Sequence, residues 1–333
     1  MAKRAKRGRQ GEEWRPGGKP FRLSASCIGT WDCKYNGYLS YIKHRKPQYP
    51  DTVNTVFGTS FHEVMETAMR HRRVDPLFLE RGLYMQFDRN VAKAKMQPKD
   101  IRRVSHFRSM VPEVVENAIE LCHTSGLMRP PVETEKKHIV KYRGWEIAII
   151  IDLLMDDDEG ALHVHDWKTG QARNWDEDRD LTAEDVDDSV QLTLYHLAVH
   201  KLFGRPPASL NLLYPRDAVR LSLAPRERRH FAMLSSKMDA IVDCAEEFER
   251  TGDRGLFPTS PSADACRFCD HKDICSDVHP DALKPPSARK SSFGSSGRRG
   301  AAGRRGKRKR LSASEAVKGS AVKVQRPKRE STG

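Results

Sequence analysis

The chain has 333 residues and a formal net charge of +14, and 38% of its residues are hydrophobic. This length suits one large domain or two small ones, and the low apolar fraction predicts that part of the chain does not pack into a core. We expect no membrane span, because no apolar run approaches about 18 residues, and no secretory signal, because no apolar stretch follows the basic N-terminus.

Cysteine usage indicates the compartment. The chain has seven cysteines, an odd number. Without an export signal, this favours a reducing compartment and metal ligation over disulfides. We therefore predict a cytoplasmic protein of a bacterial or phage-infected cell, and a nuclear one only if the host is eukaryotic.

The positive charge is concentrated at the two ends of the chain. Residues 1–20 carry a net charge of +5 and residues 284–333 carry +14, so the segment between them is mildly acidic. We predict a flexible basic arm at 1–20, one folded domain at 21–283 and a disordered basic tail at 284–333. Such ends add salt-dependent affinity for polyanions without setting specificity. A solvated tail with no dedicated role is the alternative, and its KRKR stretch could be a nuclear address in a eukaryote.

The periodicity of apolar residues and the turn signals predict the elements of the domain. The early part is predicted to be helical and the middle to contain strands, with helices on either side of a further strand. In chain order the predicted elements are helix 26–42, a helix after Gly58, a mainly helical stretch 76–123 with a long helix 101–122, strands 138–142, 145–154 and 161–167, helix 190–203, strand 209–214, and a helix from Pro225 to about Arg250.

The second and third of these strands carry a group of charged side chains. Asp152 ends the second strand, and a hairpin would bring it near Asp166 on the third. Asp166 and Lys168 flank one residue, so their side chains point to the same face. Two close carboxylates favour a divalent cation such as Mg²⁺ or Mn²⁺, and Lys168 could orient an attacking water and neutralise phosphate charge. The alternative is that the aspartates flank turns and Lys168 is a surface charge.

The stretches IIID at 149–152 and DWKTG at 166–170 together resemble the PD-(D/E)XK nuclease superfamily. Within it they resemble the RecB-like exonucleases, which include CRISPR-associated members. The usual pattern of that group has a glycine where this chain has Ile149. The resemblance implies an α/β fold with a restriction-endonuclease-like core, in which helices flank a mixed central sheet. It also implies a helical insertion and a helical region stapled by an iron–sulfur cluster.

A histidine extends the resemblance toward the N-terminus. The stretch GTSFHE at 58–63 is similar to the helical histidine motif of the family. This similarity implies that His62 joins Asp152 and Asp166 as a metal ligand. Taken alone, a histidine on a helix is more often structural.

A helix after the strands adds a further motif. The stretch QLTLY at 191–195 matches the Gln-x-x-x-Tyr helix of the family, and a spacing of four puts Gln191 and Tyr195 on one helix face. The amide can bond a phosphate or a base, and the ring can stack on a base, so both are predicted to contact DNA. Glu133 and Glu135 precede the first predicted strand. Glu135 is a weaker candidate for an additional acidic group near the metal, with surface charge as the alternative.

Three cysteines lie close together near the C-terminal end of the predicted domain. The spacing Cys266-x2-Cys269-x5-Cys275 is typical of a zinc site or an iron–sulfur cluster. The resemblance implies a [4Fe–4S] cluster with Cys33 as the fourth ligand and Cys27 as the runner-up. A small local zinc knuckle is the alternative. The two cysteines in predicted helices are interpreted as buried thiols, Cys122 and Cys244.

These observations together predict a metal-dependent DNA exonuclease that uses Mg²⁺ or Mn²⁺ and carries a [4Fe–4S] cluster. The resemblance implies single-stranded DNA ends as substrate and a role in recombination, repair or phage replication. It also allows self-assembly or recombination proteins as partners, whereas no membrane partner is expected. The alternative is a non-catalytic DNA-binding module, or a zinc-ribbon adaptor that uses the same fold and basic tail.

Overall fold

The computed structural model describes residues 23–175, 177–262, 266 and 269–278, and the backbone of Val322–Lys323. The predicted arm at 1–20 lies outside the described residues. The predicted tail at 284–333 also lies outside them, apart from Val322–Lys323.

The first predicted helix is divided in two. α1 spans Ala25–Thr30, α2 spans Lys34–Gly37, and a π-helix over Tyr38–Ile42 continues α2. The interruption allows the indole of Trp31 to fold back against α2, where a Cβ at Gly37 would lie 2.5 Å from the ring. Only glycine therefore fits this position without moving the ring.

A lobe of five helices follows. Its α3 begins before the predicted start and contains Gly58, and the predicted long helix 101–122 is replaced by shorter helices. Pro112, the second residue of α7, lacks the N–H needed inside a helix but is tolerated in a first turn, so a new helix starts there. The helices of the lobe are α3 Val53–His71, α4 Pro76–Lys93, α5 Pro98–Ile101, α6 Val104–Ser109 and α7 Val111–Thr124.

The strands and the remaining helices follow the lobe. The prediction missed the strand β7, and β1 begins five residues before its predicted start, whereas α8 and β6 have the predicted bounds. Two short 3₁₀ helices lie at Glu184–Val186 and Arg254–Leu256. The other elements are β1 Glu133–Tyr142, β2 Trp145–Asp156, β3 Leu162–Trp167, β4 Arg173–Asn174, β5 Arg179–Asp180, α8 Val190–Phe203, β6 Ser209–Tyr214, β7 Val219–Leu223, α9 Arg228–Thr251 and β8 Val322–Lys323.

The main sheet is mixed, and its strand order is β1-β2-β3-β6-β7-β8. Only β3 and β6 pair in parallel, because α8 carries the chain across the sheet between them, and the other neighbours are antiparallel. One face packs against α1, α8 and α9, and the other packs against the helical lobe. This arrangement confirms the predicted α/β core, a mixed central sheet flanked by helices.

Aromatic side chains join the N-terminal helices to the end of α9. The ring centroid of Tyr38 lies 4.5 Å from that of Phe257 in a stacked arrangement and 5.4 Å from that of Phe248, which it meets edge-on. The backbone of Leu23 also bridges to Ile147 in β2. The two ends of the described body are therefore packed against each other.

No helix among the described residues is both long enough and apolar enough to cross a membrane.

Phe57 lies at the centre of the lobe, fully buried, with its ring edge-on to those of Phe87 and Phe107. Replacing it with alanine should lower the free energy of unfolding by about 3–5 kcal/mol, because a cavity replaces these contacts. The matched control is Leu77→Ala, since Leu77 is 75% exposed, and its effect should stay within about 0.5 kcal/mol. Urea unfolding followed by circular dichroism measures both. Similar losses in the two variants would contradict this core assignment.

Candidate functional site

Strand pairing brings Asp152 and Asp166 together. β2 and β3 pair antiparallel from Leu153 opposite His165, so one further step along each strand reaches the two aspartates. The backbone N–H of Trp167 donates to Asp152 Oδ2 at 3.0 Å. Both carboxylates are buried next to the Leu153–His165 pair, where the pairing of β2 with β3 stops. The prediction that Asp152 ends its strand is wrong, because β2 continues to Asp156.

The ladder between β1 and β2 is interrupted beside this pair. Residues pair without a break from Glu133–Leu154 to Tyr142–Trp145, except at Glu135 and Asp152. Glu135 has a φ of 47°, in the left-handed region that costs a non-glycine residue about 1 kcal/mol or more. Strain of this kind is concentrated at functional sites. The irregular backbone of β1 therefore marks the place where the carboxylates of Glu135 and Asp152 lie.

His62 projects from α3 to the same point. Its Nδ1 lies 2.9 Å from Glu135 Oε1 and 3.4 Å from Asp152 Oδ2, and its Nε2 lies 3.1 Å from the carbonyl oxygen of Trp167. Burial lowers the pKa of His62, but the hydrogen bond to Glu135 and the charges of Asp152, Glu135 and Asp166 together raise it above its usual value. The imidazole therefore lies among acceptors only, an environment that favours a cation.

Three side chains could hold a metal ion here. One ligand atom from each of His62, Glu135 and Asp152 lies within 4.8 Å of the others. Burial, and next the charge of Asp166, raise the pKa of Asp152 to about 8, so the carboxylate is destabilised without a cation. Carboxylate oxygens with one imidazole fit Mg²⁺ or Mn²⁺. The donor set therefore fits the predicted divalent metal, with Glu135 included.

Asp166 faces a different set of partners. Its Oδ1 accepts hydrogen bonds from the Tyr195 hydroxyl at 2.7 Å and from Gln191 Nε2 at 3.1 Å, and its Oδ2 lies 2.5 Å from Lys168 Nζ. Lys168 Nζ also donates to Gln191 Oε1 at 2.7 Å. The predicted residues on β3 and α8 thus form one cluster next to His62 and Asp152.

Tyr195 has a different environment from the one predicted. Its side chain is only 2% exposed, and burial, together with the charges of Asp166 and Asp152, raises its pKa well above the usual value. A ring buried in this way offers no open face on which a base could stack. The structure places Tyr195 inside the charged cluster, where its hydroxyl orients Asp166, and Gln191 bridges Asp166 and Lys168.

Gly58 allows α3 to approach this cluster closely. A Cβ at Gly58 would lie 3.0 Å from Thr169 Oγ1, in the loop that follows Lys168. Gly58 precedes His62 by about one turn of the same helix. The glycine of the GTSFHE stretch therefore sets how near the imidazole comes to the carboxylates.

The cysteines predicted to act together also lie together. One cavity is lined by Cys33, Cys266, Cys269 and Cys275. Cys27 does not line it, because it is fully buried in α1, where burial raises its pKa to about 12. The geometry therefore places Cys33, and not Cys27, with the C-terminal three.

The four thiols are spaced more widely than a zinc site requires. Sulfurs around a tetrahedral zinc ion would be about 3.8 Å apart, since each Zn–S bond is about 2.3 Å long. Among the described residues, no three thiol sulfurs lie within 4.8 Å of one another. The backbone N–H of His271 donates to Cys269 Sγ at 3.4 Å, which is a contact that stabilises a thiolate. Four thiols around one cavity form a soft donor set of the kind that zinc and iron–sulfur clusters use.

A second group of possible ligands has a different explanation. Asp187, Asp188 and His230 lie close enough to hold an ion. The carboxylate of Asp187, however, already accepts from the guanidinium groups of Arg226 and Arg229. These two cations neutralise the carboxylate, so the group is an ion-pair network that ties the start of α8 to α9.

Comparisons with known proteins agree with the site. The profile of the PD-(D/E)XK nuclease superfamily matches residues 22–276 of the chain. No curated protein matches it significantly. Among solved structures, the crystal structure of SSO0001 is 14% identical, and the alignment covers 67% of this chain and 94% of that chain with a TM-score of 0.31. At that score we base no argument on the likeness.

Glu135 is the member of the metal group that the sequence indicated least. Replacing it with glutamine keeps its size and removes its charge, so Mn²⁺ binding should weaken by about 10- to 100-fold. Calorimetric titration of the full-length protein with Mn²⁺ measures the affinity. Glu146→Gln is the control, because Glu146 is exposed on the same hairpin. Unchanged affinity in the Glu135 variant would exclude Glu135 from the metal site.

Proposed function

Because the chain belongs to the PD-(D/E)XK nuclease superfamily, as the match over residues 22–276 shows, we propose that it is a divalent-metal-dependent deoxyribonuclease of the RecB-like type. It hydrolyses phosphodiester bonds and acts as an exonuclease on single-stranded DNA ends. The observation that carries this proposal is the convergence of His62, Asp152, Asp166 and Lys168 at one end of the central sheet. Their clustering agrees with the motifs from which the activity was inferred.

The residues that would hold the metal and the ammonium group of Lys168 have separate tasks. His62, Asp152 and Asp166, with Glu135 beside them, would hold Mg²⁺ or Mn²⁺, and the carbonyl of Trp167 would be a further ligand. The bound metal would polarise the phosphate and lower the pKa of an attacking water. Asp166 and Gln191 fix the ammonium group of Lys168, at 2.5 Å and 2.7 Å. Held in this way, Lys168 orients the water and donates hydrogen bonds to the phosphate oxygens as negative charge develops.

The cavity of Cys33, Cys266, Cys269 and Cys275 is the place for a [4Fe–4S] cluster. Through the cluster, the thiolate of Cys33 would be joined to those of Cys266, Cys269 and Cys275, which links the two ends of the folded body. These ends are already in contact through the stacked rings of Tyr38 and Phe257. Closing so long a loop restricts the unfolded chain and stabilises the fold. The cluster therefore has a structural role, holding the N-terminal helices against the C-terminal segment.

The proposed cellular setting follows from the substrate. An enzyme that degrades single-stranded DNA ends serves recombination, repair or phage replication in the cytoplasm. The basic ends of the chain would raise its encounter rate with DNA. The residues proposed to hold the metal, His62, Glu135, Asp152 and Asp166, all lie in the domain between them.

Lys168→Ala tests the proposed catalysis. The rate of nucleotide release from end-labelled DNA should fall at least about 100-fold, because the variant loses the cation that contacts Asp166 and would stabilise the developing charge of the phosphate. Release by wild type is measured on single- and double-stranded DNA with Mg²⁺ or Mn²⁺. Lys201→Ala is the control, because Lys201 is exposed on α8. A Lys168 variant as fast as wild type would leave the fold as a DNA-binding module without catalysis.

Cys33→Ser tests the proposed cluster. The full-length protein, purified without oxygen, should be brown and contain about four iron and four sulfide per chain. The Cys33 variant should lose most of this absorbance and iron, whereas Cys27→Ala should retain them. A colourless wild-type protein with stoichiometric zinc would show that the cavity holds zinc instead.

A further inference from the structure

The turn between β6 and β7 lies at the same edge of the sheet as the candidate metal site. β3 and β6 are parallel, with Trp167 paired to Leu213, and the N–H of Lys168 donates to the Leu213 carbonyl at 2.8 Å. The chains leaving both strands stay together, because the N–H of Ala172 donates to Asp217 Oδ2 at 2.5 Å. Arg216, next to Asp217, is therefore anchored beside the loop that follows Lys168.

Two arginines meet over one aromatic ring at this edge. The guanidinium carbon of Arg216 lies 5.7 Å from the centroid of the Phe107 ring, and that of Arg103 lies 5.2 Å from it. Phe107 is 1% exposed and packs against Phe57 of α3, the helix that carries His62. The ring is therefore a rigid support, and it holds two like charges near each other.

The charges of this pair are poorly neutralised. Among the described residues, no carboxylate lies within 4.0 Å of Arg216, and Arg103 has a single long ion pair, 3.9 Å from Asp100. Burial lowers the pKa of Arg216, the charge of Asp217 opposes this, and the charge of Arg103 lowers the pKa again against a smaller opposing effect of Glu113, so the net pKa lies below its usual value. Arg103 directly precedes α6, and Arg108 inside that helix differs because it lies 3.0 Å from Asp88. Two half-satisfied cations held together stabilise the fold little and favour an anion between them.

We propose that Arg216 and Arg103 form a phosphate-binding clamp that holds a phosphodiester of the DNA strand next to the bond being cut. This inference rests on the proposed function, since it identifies the anion by the substrate of the neighbouring site. A guanidinium presents a planar fork of donors that matches two phosphate oxygens. The clamp positions the strand at the edge where Lys168 and the metal group act, and it contacts no base.

Binding without cleavage tests the clamp. Fluorescence anisotropy of a labelled oligo-dT is measured with full-length protein in EDTA, for wild type and for Arg216→Gln, Arg103→Gln and Arg108→Gln. Each clamp variant should bind roughly tenfold more weakly, and the slope of log affinity against log salt should fall by about 0.7, the value for one phosphate contact on a single strand. Arg108→Gln should match wild type. Equal affinities in all four proteins would overturn the proposal.

Arg216→Lys separates charge from structure. It keeps the positive charge and loses the planar fork of donors, so its affinity should fall while its salt slope stays at the wild-type value. A salt slope reduced as in the glutamine variant would show a merely structural role for Arg216 and overturn the clamp. The basic ends are present in wild type and in every variant, so they do not account for differences in DNA affinity between these proteins.

Cleavage assays separate this proposal from the nuclease assignment. In Arg216→Gln, KM for DNA should rise about tenfold while kcat stays within about twofold of wild type, because the clamp binds the substrate and does not touch the reacting atoms. A large fall in kcat with unchanged KM would overturn the clamp. Wild-type protein that binds through these arginines but cuts no DNA would refute the nuclease and leave the clamp standing.

Discussion

The hydrogen bond from the Trp167 N–H to Asp152 joins the two halves of the candidate site. It fixes Asp152, inside β2, against Trp167, the last residue of β3, and the carbonyl of Trp167 faces His62 from α3. The same short segment continues into Lys168, which contacts Asp166 and Gln191. The peptide unit of Trp167 thus positions β2, the helices α3 and α8, and the loop that begins at Lys168. Displacement of this unit would disturb every contact of the site.

Much of this arrangement could be predicted from the sequence, because it rests on local patterns. The spacing of Asp166 and Lys168 indicated that their side chains share one face, and the hairpin turn indicated that Asp152 lies near Asp166. The bounds of α8 agree with Ser189 as its N-cap and Gly204 at its C-terminal end. Glu135 could not be ranked in the same way. Its importance comes from a left-handed backbone and a missing strand pair, and neither leaves a signature in residue type.

Other features depended on contacts between distant segments. The partnership of Arg216 with Arg103 requires the β6–β7 turn to meet α6, and β7 was not predicted at all. The burial of Tyr195 reversed its expected role, because a Gln-x-x-x-Tyr spacing defines a helix face but not what covers it. In both cases tertiary packing decides the chemistry, and a single sequence contains no direct record of it.

The contact between Tyr38 and Phe257 has a mechanical consequence. These rings stack at 4.5 Å and connect the first helices of the described body to the segment after α9. Because the loop they close is long, its entropy opposes early docking, and the contact should form late in folding. Separation of these rings would therefore open the long loop without breaking any pair between β2 and β3, the strands that carry Asp152 and Asp166.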